Sequence, residues 1–290
     1  MNSLEDSFII YLEKELNYSK ETIINYDIDI KKYCAFLKKE NKNIISVDKD
    51  TIRKYLKYLD KHKLSNKTIS RKISALRTFY NYLVDIKKVE DNIFLQIKNP
   101  KIEKKLPNYL TSDEIDMILC SFADNDFYEV RNHLVIELIY STGLRASELL
   151  NIKLKDIDLN NKEIKVMGKG SKERIVYYGD YVTDLLKIYL NKYRRSIKSE
   201  YLIISKNKEQ LNISVLNKII KEACKKVGIK RNISTHTLRH TFATDLLNNG
   251  SSINSVKTLL GHESLATTQI YTHITSEKIK EIYKNTHPRD

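Results

Sequence analysis

Glycine and proline divide this chain. All seven glycines, from Gly143 to Gly261, lie in its second part, and two of the three prolines, Pro100 and Pro107, bracket the basic stretch Lys101-Ile-Glu-Lys-Lys-Leu106. Proline fixes φ, lacks an N–H donor and disfavours helix in the residue before it. Residues 100–110 are therefore expected to form a linker between an N-terminal domain over 1–99 and a second domain over 111–290. A length of 290 residues suits such a pair and can bury a core without staples.

Apolar residues before the linker recur at helical spacing: Leu4, Phe8 and Leu12, then Ile23, Tyr26, Ile30, Tyr33 and Leu37. Ser19 can cap the second run; a third follows Asp48, and a fourth starts near Ser65 and carries Ile69, Ile73, Leu76, Phe79 and Leu83. This predicts a bundle of four or five helices with short connections. After the linker, Thr111-Ser-Asp-Glu114 offers helix-capping chemistry, and Leu134 to Tyr140 reads as an apolar helix. Ile164–Val166, Gly168–Lys172 and Arg174–Tyr178 read as strand, turn and strand, with helices from about Val182 to the end. The expected fold class is mainly α with one small antiparallel sheet.

Charge narrows the function classes. The chain carries 51 Lys and Arg against 37 Asp and Glu, a net +14, with +8 over residues 1–105 and +6 over 106–290. A basic excess can be simply a solvated surface, or it can mark a polyanion partner that both halves touch. No apolar run approaches the roughly 18 residues of a membrane span, and the N-terminus has no basic segment leading into an apolar one. Three widely spaced cysteines, Cys34, Cys120 and Cys224, fit a reducing compartment, so a cytoplasmic location is expected. Collagen-like, membrane-embedded and disulfide-rich secreted classes are excluded.

Four segments carry chemistry: Ser141-Thr-Gly-Leu-Arg145-Ala-Ser-Glu148, Gly168-Lys169-Gly-Ser-Lys172-Glu-Arg174, Thr235-His236-Thr-Leu-Arg239-His240, and Leu260-Gly-His262 through Tyr271-Thr-His273. Each has a plain reading. Thr142 and Gly143 could begin an ordinary helix, with Arg145 a solvated charge. Gly168–Gly170 could be a hairpin turn; it lacks the four-residue spacer of a nucleotide-binding phosphate loop, which excludes an ATP site. His236 and His240, four apart, could present two imidazoles to zinc, but Thr237 stands where a zinc hydrolase needs glutamate, and no cysteine has ligand spacing. Tyr271 is one of 19 tyrosines.

Together the segments fit metal-free phosphoryl transfer from DNA. A five-coordinate phosphorus concentrates charge on its non-bridging oxygens, which guanidinium forks stabilise with permanently charged hydrogen bonds. A tyrosine can attack, but a phenol with a pKa of about 10 needs a base or cation beside it. The departing deoxyribose oxygen needs a proton, which a lysine on a hairpin can deliver.

These motifs resemble the tyrosine recombinases, the phage-integrase family, and within it the bacterial Xer type, XerC-like or XerD-like. The resemblance runs along nearly the whole chain: Leu16-Asn-Tyr-Ser-Lys-Glu-Thr-Ile23 is similar to the family's opening helices, Ser70–Tyr80 to its DNA-contacting helix, and His287-Pro-Arg289 to its Xer-type ending. It implies a SAM-like core-binding bundle followed by a mostly α catalytic domain, the two clamping a duplex. It implies that Arg145 and Arg239 bind the scissile phosphate, Lys169 protonates the leaving 5′ oxygen, His236 handles the tyrosine proton, His262 supports the phosphate and Tyr271 is the nucleophile. Glu148 would orient the arginines, and Arg71, Lys72 and Arg77 would contact DNA from the first domain.

The partners implied are double-stranded DNA at a specific site, four subunits on two sites (self or with a second Xer-type recombinase), and a septal DNA translocase. Neither cofactor nor metal is expected. The segment after Tyr271 would dock on a neighbouring subunit. Chromosome-dimer resolution at cell division is the expected role. A mobile-element integrase with the same chemistry and a non-catalytic architectural DNA binder are the alternatives. A type IB topoisomerase is disfavoured by the compact first domain.

Overall fold

The computed structural model describes residues 3–101, 109–168, 173–261 and 276–289, the last segment without the side chains of 276–279. The chain separates into two compact units, Met1–Lys105 and Leu106–Asp290.

The first unit has four α-helices, α1 (Leu4–Lys14), α2 (Lys20–Lys39), α3 (Lys49–Lys61) and α4 (Asn66–Asp85), and a 3₁₀ turn over Ile93–Gln96. A short polar side chain closes the start of each helix. Ser3 accepts from the Asp6 N–H at 3.1 Å, Ser19 from Thr22 at 3.3 Å, Asp48 from Thr51 at 2.7 Å and Ser65 from Thr68 at 3.2 Å. These groups satisfy backbone donors that the helix itself leaves open. The faces expected to be apolar meet in an aromatic core. Phe8 lies edge-on to Phe79 at 4.9 Å and Tyr33 to Tyr55 at 4.8 Å. The Tyr80 hydroxyl donates to the Ile44 carbonyl at 2.9 Å, so the buried phenol is satisfied.

The second unit is built around α6 (Phe127–Thr142), whose residues from Leu134 to Thr142 are all buried. A helix covered on every side is the centre of its domain. α5 (Ser112–Cys120) starts at the expected Thr111–Glu114 capping box. After α7 (Ala146–Leu150), the strands β1 (Ile157–Asp158), β2 (Glu163–Met167) and β3 (Glu173–Tyr177) form an antiparallel sheet in the order β1-β2-β3. Then come α8 (Asp180–Ile188), α9 (Ile213–Lys226), α10 (Thr235–Asn248), α11 (Ile253–Leu260) and α12 (Ser276–Thr286).

Three local expectations change. Gly143 ends α6 instead of beginning a helix: it is left-handed, with φ +62°, and its N–H returns to the Ile139 carbonyl at 2.9 Å. Helix is not continuous after Val182, because Leu202 and Leu211 pair through their N–H groups with the carbonyls of Ile152 and Ile203. The two-residue strand β1 joins the hairpin as a third strand.

The end of the chain, expected to reach a neighbouring subunit, packs here on its own unit. His287 is buried and stacked on Tyr283 with ring centres 5.0 Å apart. Arg289 pairs with the fully buried Glu137 of α6 at 2.8 Å, its guanidinium 3.9 Å from the ring centre of Tyr181. Among the described residues no helix is long and apolar enough to cross a membrane.

Candidate active site

Glu148 organises the site. It lies in the short helix α7, three residues after the arginine N-cap Arg145, and its side chain is 1% exposed. Its Oε1 accepts from Arg145 Nη1 at 2.7 Å, and its Oε2 accepts from the Arg145 N–H at 2.8 Å and from Arg174 Nη2 at 2.9 Å. Arg239 Nη1 stands 3.8 Å from Oε2. Three guanidinium groups, from the start of α7, from β3 and from α10, thus surround one carboxylate.

The same three arginines grip the C-terminal end of α11. Arg174 Nη1 donates to the Leu259 carbonyl at 2.6 Å, Arg239 Nη2 to Leu260 at 2.7 Å, and Arg145 Nη2 to Gly261 at 3.2 Å. These carbonyls lie at the negative end of the helix dipole, where intrahelical donors run out and cations are favoured. Arg239 also donates to the Gly143 carbonyl at 2.5 Å. Gly143 thus fixes this corner of the site. A Cβ there would sit 2.6 Å from Phe242 Cδ1, and its carbonyl holds Arg239.

Electrostatics follow from this packing. Burial pushes the Glu148 carboxyl up, but Arg174 and the Arg145 N–H outweigh it, and the group is held below its ordinary value. Burial, reinforced by Arg145 and Arg174, lowers Arg239 to about 10, which leaves it charged at neutral pH. Burial likewise lowers Arg174. Among the described residues, three cations against one carboxylate leave two positive charges in excess, an arrangement that an anion completes. Among the described residues, Arg145 uses two guanidinium hydrogens, and a guanidinium has five to give.

Of the six residues expected to be catalytic, Arg145 and Arg239 meet at Glu148. His236 is exposed in the first turn of α10, three residues before Arg239, and His240 is exposed one turn on. Lys169, His262 and Tyr271 lie outside the described residues. Among the described residues, no three His, Cys, Asp or Glu side chains are grouped to hold a metal ion.

The three cations expected at DNA from the first unit are engaged within it. Lys72 is 5% exposed and places its ammonium 2.7 Å from the carboxylate of Asp29, itself 1% exposed. Arg71 pairs with the other oxygen of Asp29, and Arg77 donates to the Ile97 carbonyl at 2.9 Å. Lys72 is thus a buried ion-pair residue, while Arg71 and Arg77 are half-buried.

Arg174 ends one of the four named segments, where no role is assigned to it. Its signal is strand period: it shares a face of β3 with the buried Val176 and pairs in register with the buried Val166, so a charge sits where an apolar residue is expected.

Two family models match the chain: the phage integrase family over residues 108–278, and the phage integrase N-terminal SAM-like domain over residues 6–87. The tyrosine recombinase XerC of Staphylococcus epidermidis is 35% identical over 291 aligned residues, covering 100% of this chain and 98% of that protein. The crystal structure of the XerA recombinase is 30% identical with a TM-score of 0.51, covering 100% of both chains. That of the XerH site-specific recombinase, bound to palindromic difH substrate in a post-cleavage complex, is 26% identical with a TM-score of 0.72, covering 95% of this chain and 82% of that one. Both domains and the full length are accounted for, and the chain belongs to the phage integrase family as a Xer-type, XerC-like tyrosine recombinase.

Proposed function

We propose that this chain cuts and rejoins double-stranded DNA at a specific site, with Arg145 and Arg239 binding the scissile phosphate. The observation that supports the reading is their convergence, from elements far apart in sequence, on one buried carboxylate that, among the described residues, leaves two positive charges in excess. Guanidinium donors fixed beforehand favour charge that develops in the transition state, since they need not reorganise when it forms.

In this reading the Tyr271 oxygen attacks phosphorus as His236 takes its proton. The P–O5′ bond breaks, Lys169 protonates the 5′ oxygen, and His262 supports a non-bridging oxygen. The products are a 3′-phosphotyrosyl bond and a free 5′-hydroxyl. The 5′-hydroxyl of a partner duplex then attacks that bond and releases Tyr271. One P–O ester replaces another at each step, so the bond balance calls for no ATP, and the arginines are the groups assigned to the phosphate charge. Glu148 holds the arginines without touching DNA. Both units carry net positive charge, and binding depends strongly on salt.

The domain limits proposed are a core-binding domain over 1–99, a linker over 100–110 and a catalytic domain over 111–290. The role proposed is resolution of chromosome dimers in the cytoplasm, by four subunits on two sites. It rests on the XerC-like sequence and awaits a partner recombinase and a septal translocase to be tested with it.

The test is cleavage of a nicked duplex, its sequence selected from a random library by binding to the protein. The expected products are a 5′-hydroxyl end and a protein-bound 3′ end, absent with Tyr271→Phe. Tight binding with intact strands, even when partner subunits and second sites are supplied, would favour a non-catalytic binder.

A further inference from the structure

We propose that Arg174 is a positioning residue for the phosphate-binding arginines, keeping Arg239 from being captured by Glu148. This rests on the reading of Arg145 and Arg239 as phosphate ligands.

Glu148 Oε2 already accepts from the Arg145 N–H at 2.8 Å and from Arg174 Nη2 at 2.9 Å, while Arg239 Nη1 stays 3.8 Å away, beyond hydrogen-bond reach. Arg174 occupies the acceptor position that Arg239 would otherwise take. With Arg174 gone, a buried carboxylate with a vacant lone pair sits beside a buried guanidinium, and the two close on each other. Arg239 Nη1 would then exchange the Gly143 carbonyl for the vacated position on Glu148 Oε2 and turn from the phosphate.

Arg174 does this without reaching the reacting atoms. Its side chain is 15% exposed, one guanidinium nitrogen is held by Glu148 and another by the Leu259 carbonyl at 2.6 Å. Its stem crosses Gly261, where a Cβ would lie 2.8 Å from Arg174 Cδ, so the left-handed turn at the end of α11 is shaped to admit it. Arg174 also pairs in register with Val166 across the hairpin, between the strands that flank Lys169 in sequence. A lysine cannot replace it, because one ammonium on a single stem does not bridge a carboxylate and a carbonyl in the planar geometry of the fork.

The experiment compares the full-length protein with Arg174→Lys, Arg174→Gln, Glu148→Gln and the double variant Arg174→Gln/Glu148→Gln. Thermal midpoint, duplex affinity and single-turnover cleavage of the nicked duplex are measured for each. Arg174→Lys is expected to bind DNA within about threefold of the parent yet cleave about 100-fold more slowly, the scale of an ångström-sized misplacement of a catalytic group. The double variant should cleave no more slowly than Glu148→Gln alone, since Arg174 acts through that carboxylate. Parent-like cleavage by Arg174→Lys, equal losses of affinity and cleavage, or additive losses in the double variant overturn the proposal while leaving the reaction intact. A parent protein that forms no Tyr271-dependent product overturns the reaction and this role together. Arg174→Lys keeps the buried cation, so it remains informative if Arg174→Gln does not fold.

Discussion

Lys72→Met separates a buried ion-pair role from a DNA contact at the same residue. The substitution keeps the side chain's length while removing its charge. Asp29 would then be buried, at 1% exposure, with Arg71 as its remaining cation, and the Arg71 side chain is 39% exposed. Removing one partner of a buried pair costs about 3–5 kcal/mol, and the retained Arg71 places this case near about 3 kcal/mol. Amides of α2 and α4 that exchange through opening of the first unit should then exchange about 100-fold faster, at about 1.4 kcal/mol per factor of ten. Hydrogen exchange with peptide resolution reads this in the intact chain, with α6 of the second unit as the internal reference. Replacing both partners, Asp29→Leu with Lys72→Met, should recover most of the loss. The salt dependence of duplex binding should keep its slope in Lys72→Met, whereas losing one phosphate contact makes it shallower by about 0.9. Unchanged exchange together with a slope shallower by that amount would refute the buried-pair argument.

Three further outcomes follow from packing. Burial lowers the His287 imidazole to about 3, so it is neutral in the native state and ordinary when unfolded. Its contribution is fully present above pH 6.5 and is lost as pH falls from there toward about 3, with a slope of up to about 1.4 kcal/mol per pH unit; urea midpoints between pH 7 and pH 5 should show that slope, and His287→Asn should lack it. Gly143→Ala forces a Cβ to 2.6 Å from Phe242 at φ +62°, and left-handed strain with overpacking should cost about 3 kcal/mol in thermal unfolding, while displacing the carbonyl that holds Arg239 slows cleavage beyond the loss of fold. Arg289→Gln strips the fully buried Glu137 of its cation and should cost about 3 kcal/mol, read as a lower thermal midpoint.

What the sequence made legible is what is local. Ser19, Asp48, Ser65 and Thr111 cap helices through bonds to residues three positions on, and such a contact is written in the sequence itself. The apolar spacing of α1 to α4 and the β2–β3 hairpin were legible for the same reason. The four motif segments were legible as chemistry, and Arg145 and Arg239 do meet, but their meeting point was hidden. Glu148 stood in a named motif, whereas the carbonyls of Leu259, Leu260 and Gly261 carry no side-chain signal. Gly143 could begin a helix or end one by its spacing alone, because a glycine shortly before an N-cap arginine closes one helix and precedes the next. Lys72 and Asp29 are separated by 43 residues, yet each interrupts an apolar helical stripe, between Ile69 and Leu76 and between Tyr26 and Tyr33. A charge in such a stripe is the available clue that it is paired in the core.

The most direct test of the central claim is to find where the DNA becomes attached. The protein is incubated in EDTA with a nicked duplex selected by binding, denatured, digested with nuclease and trypsin, and analysed by mass spectrometry. The tryptic peptide Thr258–Lys278 contains Tyr271 as its only tyrosine. The account predicts a nucleotide joined through its 3′-phosphate to Tyr271 in that peptide, and no adduct from Tyr271→Phe. A nucleotide on another residue, or covalent attachment that appears only when a divalent metal is supplied, would contradict it.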